Sequence, residues 1–339
     1  MRIAVDAMGG DFAPDEIVPG CVEAVRTYPS VEKVILVGDE SRIRSQLRAC
    51  GALEEERLEI FHASEEIGMG EAPAMALRRK KDSSISRAIE LVKKGDADAV
   101  FSAGSTGAMV AGSSIKLRTL DGVDRPTIAT VLPTQKHPVV LLDAGANPEC
   151  TQKMLSQFAV MGDVYAREIL GIRHPRVGLL SIGGEEAKGN DLTKQTFKLL
   201  QASHLNFVGN IESHDVFAGD VDVVVCDGFT GNVVLKTSEA VARAMKTWIK
   251  DELTSSFTRK LGALMLKPAF KTISDKTNSE TQGGAPLLGV NGIVYIGHGS
   301  SSRHAVCNAI RVVRDSIQHD INHHIIDDLV RLSKAREVI

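Results

Sequence analysis

Short apolar runs recur along the chain, separated by longer stretches in which apolar positions return every three or four residues. "RIAVDAM", "KVILVGD", "RLEIFHA", "ADAVFSAG", "TIATVLP", "PVVLLDAG", "RVGLLSIG", "LNFVGN", "DVVVCDG" and "GIVYIGHG" read as strands. Between them, "PDEIVPGCVEAVRTY" (from near Pro14), "DESRIRSQLRAC", "SSISRAIELVKKG", "STGAMVAGSSIKL", "TQKMLSQFAVMGDVYAREIL" and "DLTKQTFKLLQAS" carry a helical period. Strands this apolar are buried on both faces. Their alternation with helices predicts an α/β fold: a mostly parallel sheet between two helical layers, with right-handed crossovers. No repeat, low-complexity tract or flexible linker interrupts the pattern, so residues 1–339 read as one α/β domain.

Ligands in such folds bind beyond the carboxyl ends of strands. Six strands run into glycine-bearing turns, "AMGGDFAP", "FSAGSTGA", "LDAGANPE", "LSIGGEEAKGND", "VCDGFTGN" and "IGHGSSS". The expectation is that all six share one edge of the sheet and one site. Ser105, Thr106 and the amides of "SAGSTGAM" suit an anion at a helix N-terminus, although Ser105 serves equally well as a simple helix cap. In "GGEEAKGND", Gly184 and Gly189 have P-loop spacing. Asn190 and Asp191 stand where that motif needs lysine and Ser/Thr, which disfavours a nucleotide cradle. Lys188 remains as a cation in a glycine-rich turn. No G-x-G-x-x-G, G-x-S-x-G or H-E-x-x-H is present, which argues against dinucleotide binding, a serine nucleophile and metal hydrolysis. His298 is the one histidine kept as a site candidate. The run Arg78, Arg79, Lys80, Lys81 reads as a solvated face or as a landing patch for an acidic partner or phosphate groups.

Hydrophobic content of 43% and charged content of 24% are ordinary for a globular enzyme, and 4% aromatics makes the core largely aliphatic. A net charge of −3 argues against a nucleic-acid binder. Cys21, Cys50, Cys150, Cys226 and Cys307 form no C-x-x-C, so they are expected to be reduced thiols of a cytosolic protein. The chain opens on a strand rather than a signal region, and no apolar run nears the roughly 18–20 residues of a membrane helix. A soluble chain without an export signal is expected.

One segment departs from this average. From Arg243 to Lys276 eight Lys/Arg face three Asp/Glu, and Val241, Met245, Ile249, Leu253, Phe257, Leu261 and Met265 recur every fourth residue. An ideal helix drifts ~40° per such step, so two shorter helices breaking near Thr254–Ser256 fit better than one. With Trp248, the only tryptophan, residues 245–275 read in two ways. They form a basic amphipathic hairpin on an anionic membrane surface, or a helix pair in the core or at a subunit interface.

In order, "DAMGGD", "RRKKDSS", "SAGSTGA", "DAGAN", "SIGGEEAKG", "DGFTGNVVLK", "GGAPLLGVNG" and "HGSS" resemble the PlsX family, the phosphate acyltransferases of bacterial phospholipid synthesis. The likeness runs from Met1 to about Ile310. It implies transfer of a long fatty acyl chain from acyl carrier protein to inorganic phosphate, giving acyl-phosphate for phosphatidic acid synthesis. It further implies a phosphotransacetylase-like or isocitrate-dehydrogenase-like α/β/α fold with a protruding helical hairpin, a homodimer, and peripheral attachment to the inner face of the cell membrane. Neither metal nor cofactor is implied. By the same resemblance Lys188 and Asn232 are the catalytic pair. Phosphate and substrate contacts are expected from Gly104, Ser105, Thr106, Gly107, Asn147, Asp227, Thr230, Gly231 and His298. Membrane contacts fall to Trp248, Leu253, Phe257, Leu261, Leu264 and Met265. Such chemistry explains turns without a nucleophile: phosphate itself attacks, and the protein stabilises the oxyanion through Lys188 and turn amides. The leaving thiol, with a pKa of ~8.5, needs little acid help. The alternatives are a short-chain phosphotransacetylase using acyl-CoA, a decarboxylating dehydrogenase needing a divalent metal and NAD(P), and a non-enzymatic membrane scaffold.

Overall fold

A computed structural model of the chain describes residues 1–277 and 283–336. The strands are β1 (Arg2–Asp6), β2 (Lys33–Gly38), β3 (Leu58–His62), β4 (Ala99–Ser102), β5 (Thr127–Leu132), β6 (Val139–Leu142), β7 (Val177–Leu180), β8 (Phe207–Ile211), β9 (Val223–Val225), β10 (Ala285–Leu288) and β11 (Ile293–Ile296). The helices are α1 (Ile17–Thr27), α2 (Glu40–Ala49), α3 (Pro73–Arg79), α4 (Ser84–Lys94), α5 (Thr106–Lys116), α6 (Gln152–Glu168), α7 (Asp191–Gln201), α8 (Asp215–Ala218), α9 (Gly228–Thr254), α10 (Phe257–Thr277), α11 (Arg303–Gln318) and α12 (Ile321–Arg336). The ten strands read from the sequence are all present. α1 begins at Ile17 rather than Pro14, because the intervening residues form a turn.

All eleven strands of the described residues join one sheet in the order β3-β2-β1-β4-β11-β10-β5-β6-β9-β7-β8. Its two faces are legible residue by residue. Ile3 and Val5 of β1, Val140 and Leu142 of β6, and Val223 and Val225 of β9 enter one apolar cluster with α1, α6 and α11. The residues between them face the other way. Ala4 joins Ile85, Ile89 and Met109 beneath α4 and α5, and Leu141 and Val224 join a third cluster near the start of α9. Alternation of side chains along a strand therefore fills two helical layers from one set of apolar runs.

The strand polarity corrects one expectation. β3, β2, β1, β4 and β11 run parallel to one another, as do β6, β9, β7 and β8. Between the two sets lie three antiparallel pairings, β11–β10, β10–β5 and β5–β6. An odd number of reversals turns the second set around. The six glycine turns thus leave by opposite edges of the sheet: those after β1, β4 and β11 by one, those after β6, β7 and β9 by the other.

The segment after β9 folds as two helices that break between Thr254 and Phe257, where the spacing predicted. The first arm is longer than expected, since α9 begins at the "DGFTGN" turn itself. Of its residues only Gly228 and Gly231 are buried. α10 packs on α9, and Trp248, Phe257, Leu261, Leu264 and Met265 are all exposed, with Leu253 half-buried. Among the described residues, no helix is long and apolar enough to cross a membrane.

Candidate functional site

β6, β9 and β7 are consecutive neighbours, so their three following turns lie side by side. The first is organised by Asp143, whose side chain is fully buried. Its carboxylate accepts from the backbone N–H of Ile128 (3.1 Å), Gly145 (3.2 Å), Ala146 (3.0 Å) and Asn147 (2.7 Å), and from Asn147 Nδ2 (2.8 Å). Burial pushes this carboxyl above its ordinary range, and the N–H donors oppose that push. Asn147 also donates to the Pro126 carbonyl at 2.7 Å, and its own carbonyl accepts from the Gly228 N–H at 2.8 Å. Both amide hydrogens of Asn147 are thus engaged in bracing the turn.

The second turn opens α9. Asp227 caps the helix by accepting from the Thr230 N–H and hydroxyl, each at 2.8 Å, and Gly231 N–H donates to the Asp227 carbonyl at 2.9 Å. Gly231 lies directly on the Asp143 carbonyl, and this close approach pins the start of α9 to the β6 turn. The amides of Gly228, Thr230 and Gly231 are therefore already bonded within the protein. What the turn presents outward is the Asn232 side chain, exposed beside Gly145.

The third turn carries Lys188. Asn210 on β8 donates from Nδ2 to the Glu185 carbonyl at 2.9 Å, and Asn190 caps α7 through the Thr193 N–H at 2.9 Å. Gly189 sits at φ +94, with Thr193 Oγ1 only 2.1 Å from where a Cβ would be. Both backbone and space require glycine there. Lys188 is exposed, and its side chain folds over Gly183. Among the described residues neither Lys188 Nζ nor the Asn232 amide has a protein partner. Beneath the Lys188 loop, Ser181 Oγ and Asn210 Oδ1 are buried without a partner as well. Two exposed apolar side chains flank the pair, Ile182 (81% exposed) and Phe229 (68%). The two nearby thiols are ill suited to act as nucleophiles. Burial pushes Cys150 up to about 12 and Cys226 well above the ordinary thiol range.

The other edge gathers the turns after β1, β4 and β11. Ser102 Oγ donates to the buried Asp6 carboxylate at 2.7 Å and accepts from the Gly104 N–H at 3.0 Å. Ser105 Oγ accepts from the Ala108 N–H at 3.4 Å, so here it acts as a cap. Gly107 makes room for α3, because a Cβ would meet Pro73 Cγ at 2.6 Å. Thr106 is exposed, and His298 Nδ1 pairs with Ser300 Oγ at 2.8 Å. Gly104, Ser105, Thr106, Gly107 and His298 are thereby sent to the edge opposite Lys188, Asn232, Asn147, Asp227, Thr230 and Gly231. The single shared edge expected from the sequence divides in two, for the polarity reason given above. The sequence reading also passed over Asp143 and Asn210, the two side chains that hold the turns. An aspartate directly after a fully apolar strand was the available signal for the first.

The full chain can be set beside known proteins. Residues 1–324 match the family described as "Fatty acid synthesis protein". The chain is 51% identical to the phosphate acyltransferase of Desulfitobacterium hafniense (strain DSM 10664 / DCB-2), over 99% of this chain and 100% of that one. It is 52% identical to the phosphate acyltransferase of Pelotomaculum thermopropionicum, over 94% and 92% respectively. Among solved structures, a phosphotransacetylase from Streptococcus pyogenes superposes with a TM-score of 0.60 at 17% identity, covering 94% of each chain. The EutD phosphotransacetylase from Staphylococcus aureus gives 0.58 at 17% identity, again covering 94% of each chain. The fold is thus that of the phosphotransacetylases. At half-identity over nearly its whole length, the chain belongs to the phosphate acyltransferase family, and with that family it is an acyltransferase.

Proposed function

We propose that the protein moves a long-chain fatty acyl group from the thioester of acyl carrier protein to inorganic phosphate, with chemistry at the edge formed by β6, β9 and β7. A phosphate oxygen attacks the thioester carbonyl carbon, and the carbonyl electrons move onto its oxygen. The tetrahedral oxyanion collapses, the C–S bond breaks, and the departing thiolate takes a proton from solvent. Lys188 stabilises the developing negative charge, and Asn232 orients the phosphate or the carbonyl. Ile182 and Phe229 offer apolar surface to the first carbons of the acyl chain. The oxyanion falls to side chains rather than to the amides of Gly228, Thr230 and Gly231, which are already occupied. The observation that carries this reading is that two unpartnered polar side chains, one of them cationic, stand on neighbouring turns held rigid from behind. The hairpin formed by α9 and α10 docks the enzyme on an anionic membrane through Trp248, Leu253, Phe257, Leu261, Leu264 and Met265, and the working unit is a homodimer.

The test is mass-spectrometric detection of acyl-phosphate from palmitoyl–acyl carrier protein and phosphate, without added metal or nucleotide. Lys188→Ala is expected to lower turnover by roughly 10²–10³, the cost of losing one oxyanion donor, with an unchanged circular dichroism spectrum. Normal turnover in that variant overturns the catalytic assignment. Product from short acyl-CoA alone moves the activity to that of a phosphotransacetylase, and no product from either thioester leaves the scaffold reading.

A further inference from the structure

On the face covered by α4 and α5, a groove of about 530 Å³ opens between these helices and α3. It is lined by Arg78, Lys81, Arg87, Lys93 and Lys116, with Glu90 as its one carboxylate. Arg87 is engaged with Asp82 (2.7 Å) and Glu90 (3.1 Å), and Glu90 also holds Lys94 at 3.1 Å. Among the described residues no carboxylate pairs with Arg78, Lys81, Lys93 or Lys116. Lys116 is half-buried and donates only to the Ser86 carbonyl, at 2.8 Å. Burial pulls its ammonium below the ordinary lysine range; the Glu90 carboxylate opposes that pull, and the neighbouring cations Arg87, Lys93 and Lys94 add to it. Four cations without a carboxylate at ion-pair distance among the described residues thus crowd one concavity, with Glu90 acting on Lys116 from further off.

Helix-dipole complementarity explains a basic residue at the end of any single helix. It does not explain the convergence of three helices on one groove, nor Lys81, which lies beyond the end of α3. The length of the groove also matters. From Ser86 to Lys93 the chain climbs about 10 Å along α4, at 1.5 Å per residue. That is too long for one phosphate and suits the row of carboxylates along an acidic helix. Met75 on α3 and Ile115 on α5, both exposed, give the same two helices apolar surface of the kind found in protein interfaces.

We infer that this groove docks an acidic helix of the protein that carries the acyl thioester. The inference rests on the function proposed above and adds the place of contact. Charge attraction here steers encounter and sets affinity for the carrier, and does not touch the chemical step.

The experiment compares wild type with Lys81→Glu/Lys93→Glu, using palmitoyl–acyl carrier protein and, separately, palmitoyl-pantetheine, which has no protein surface. For the variant, KM for the carrier substrate is expected to rise about tenfold or more, and its dependence on ionic strength to flatten. Turnover with palmitoyl-pantetheine stays within roughly twofold of wild type, and Lys81→Arg/Lys93→Arg restores the carrier KM because charge, not shape, is read. An unchanged carrier KM in an active variant overturns the inference. Equal loss on both thioesters overturns it as well, by making the residues structural. A wild-type protein that forms no acyl-phosphate from either thioester removes instead the function on which the inference stands.

Discussion

Gly231 has no room for a methyl group. A Cβ there would stand 1.9 Å from the Asp143 carbonyl oxygen, which is backbone and cannot swing aside. Gly231→Ala must lift the first turn of α9 from the β6 turn, and overpacking of this kind costs about 1–3 kcal/mol or more. Urea denaturation is expected to show that loss, together with impaired turnover as Asn232 moves with the helix. A second residue-scale expectation concerns Asp82. Its carboxylate accepts from the Ser64 hydroxyl at 2.6 Å, the Ser64 N–H at 3.0 Å and Arg87 at 2.7 Å. Those bonds from Ser64 and then Arg87 hold it at about 2, against an ordinary 3.8. A carboxyl with a depressed folded pKa adds stability above 3.8 that is lost as pH falls through about 2. In that window Asp82→Asn is expected to flatten the dependence of unfolding free energy on pH. An identical slope in both proteins rejects this.

At the scale of elements, α9 joins two readings that the sequence kept apart. The 27-residue helix that presents Asn232 one turn from its start also forms the arm that carries Trp248. Under the membrane reading, a bilayer-bound hairpin and the acyl-transfer site share one rigid rod. Trp248→Ser/Leu264→Ser removes two large exposed side chains, each contributing about 1.5–3 kcal/mol when fully buried. Co-sedimentation with phosphatidylglycerol-containing vesicles is expected to drop by tenfold or more, while turnover of soluble substrate persists. Retained vesicle binding together with a change in sedimentation mass assigns the hairpin to a subunit interface instead. The break at residues 255–256 was legible in the sequence because a four-residue apolar repeat cannot stay on one side of a straight helix. The full length of the first arm was not, because "DGFTGN" reads as a turn ahead of the helical segment until Asp227 is seen capping it.

At the scale of the whole molecule, the homodimer proposed above predicts a light-scattering mass of twice the chain at micromolar concentration, and a single-chain mass rejects it. The sequence alone determined the alternation of strands and helices, the burial of both sheet faces, the absence of nucleotide and serine-nucleophile motifs, and the residue types that the turns carry. All of these are local: they depend on periodicity over a few residues or on side chains adjacent in the chain. Strand polarity is different in kind. It depends on which strands pair: the two reversals at Ala285–Leu288, slipped between β11 and β5, cancel, and the third, between β5 and β6, turns the second set around and divides the glycine turns. Nothing in "APLL" announces a strand between β11 and β5. For the same reason the sequence could nominate Lys188 and Asn232 but not show them on neighbouring turns, braced by Asn210 and Asp143. Tertiary structure alone decides which side chains already have partners within the protein and which remain open to a substrate. Asn147 has a partner in the Pro126 carbonyl, and among the described residues the side chains of Lys188 and Asn232 have none, because such a hydrogen bond is settled by distances between residues far apart in the chain.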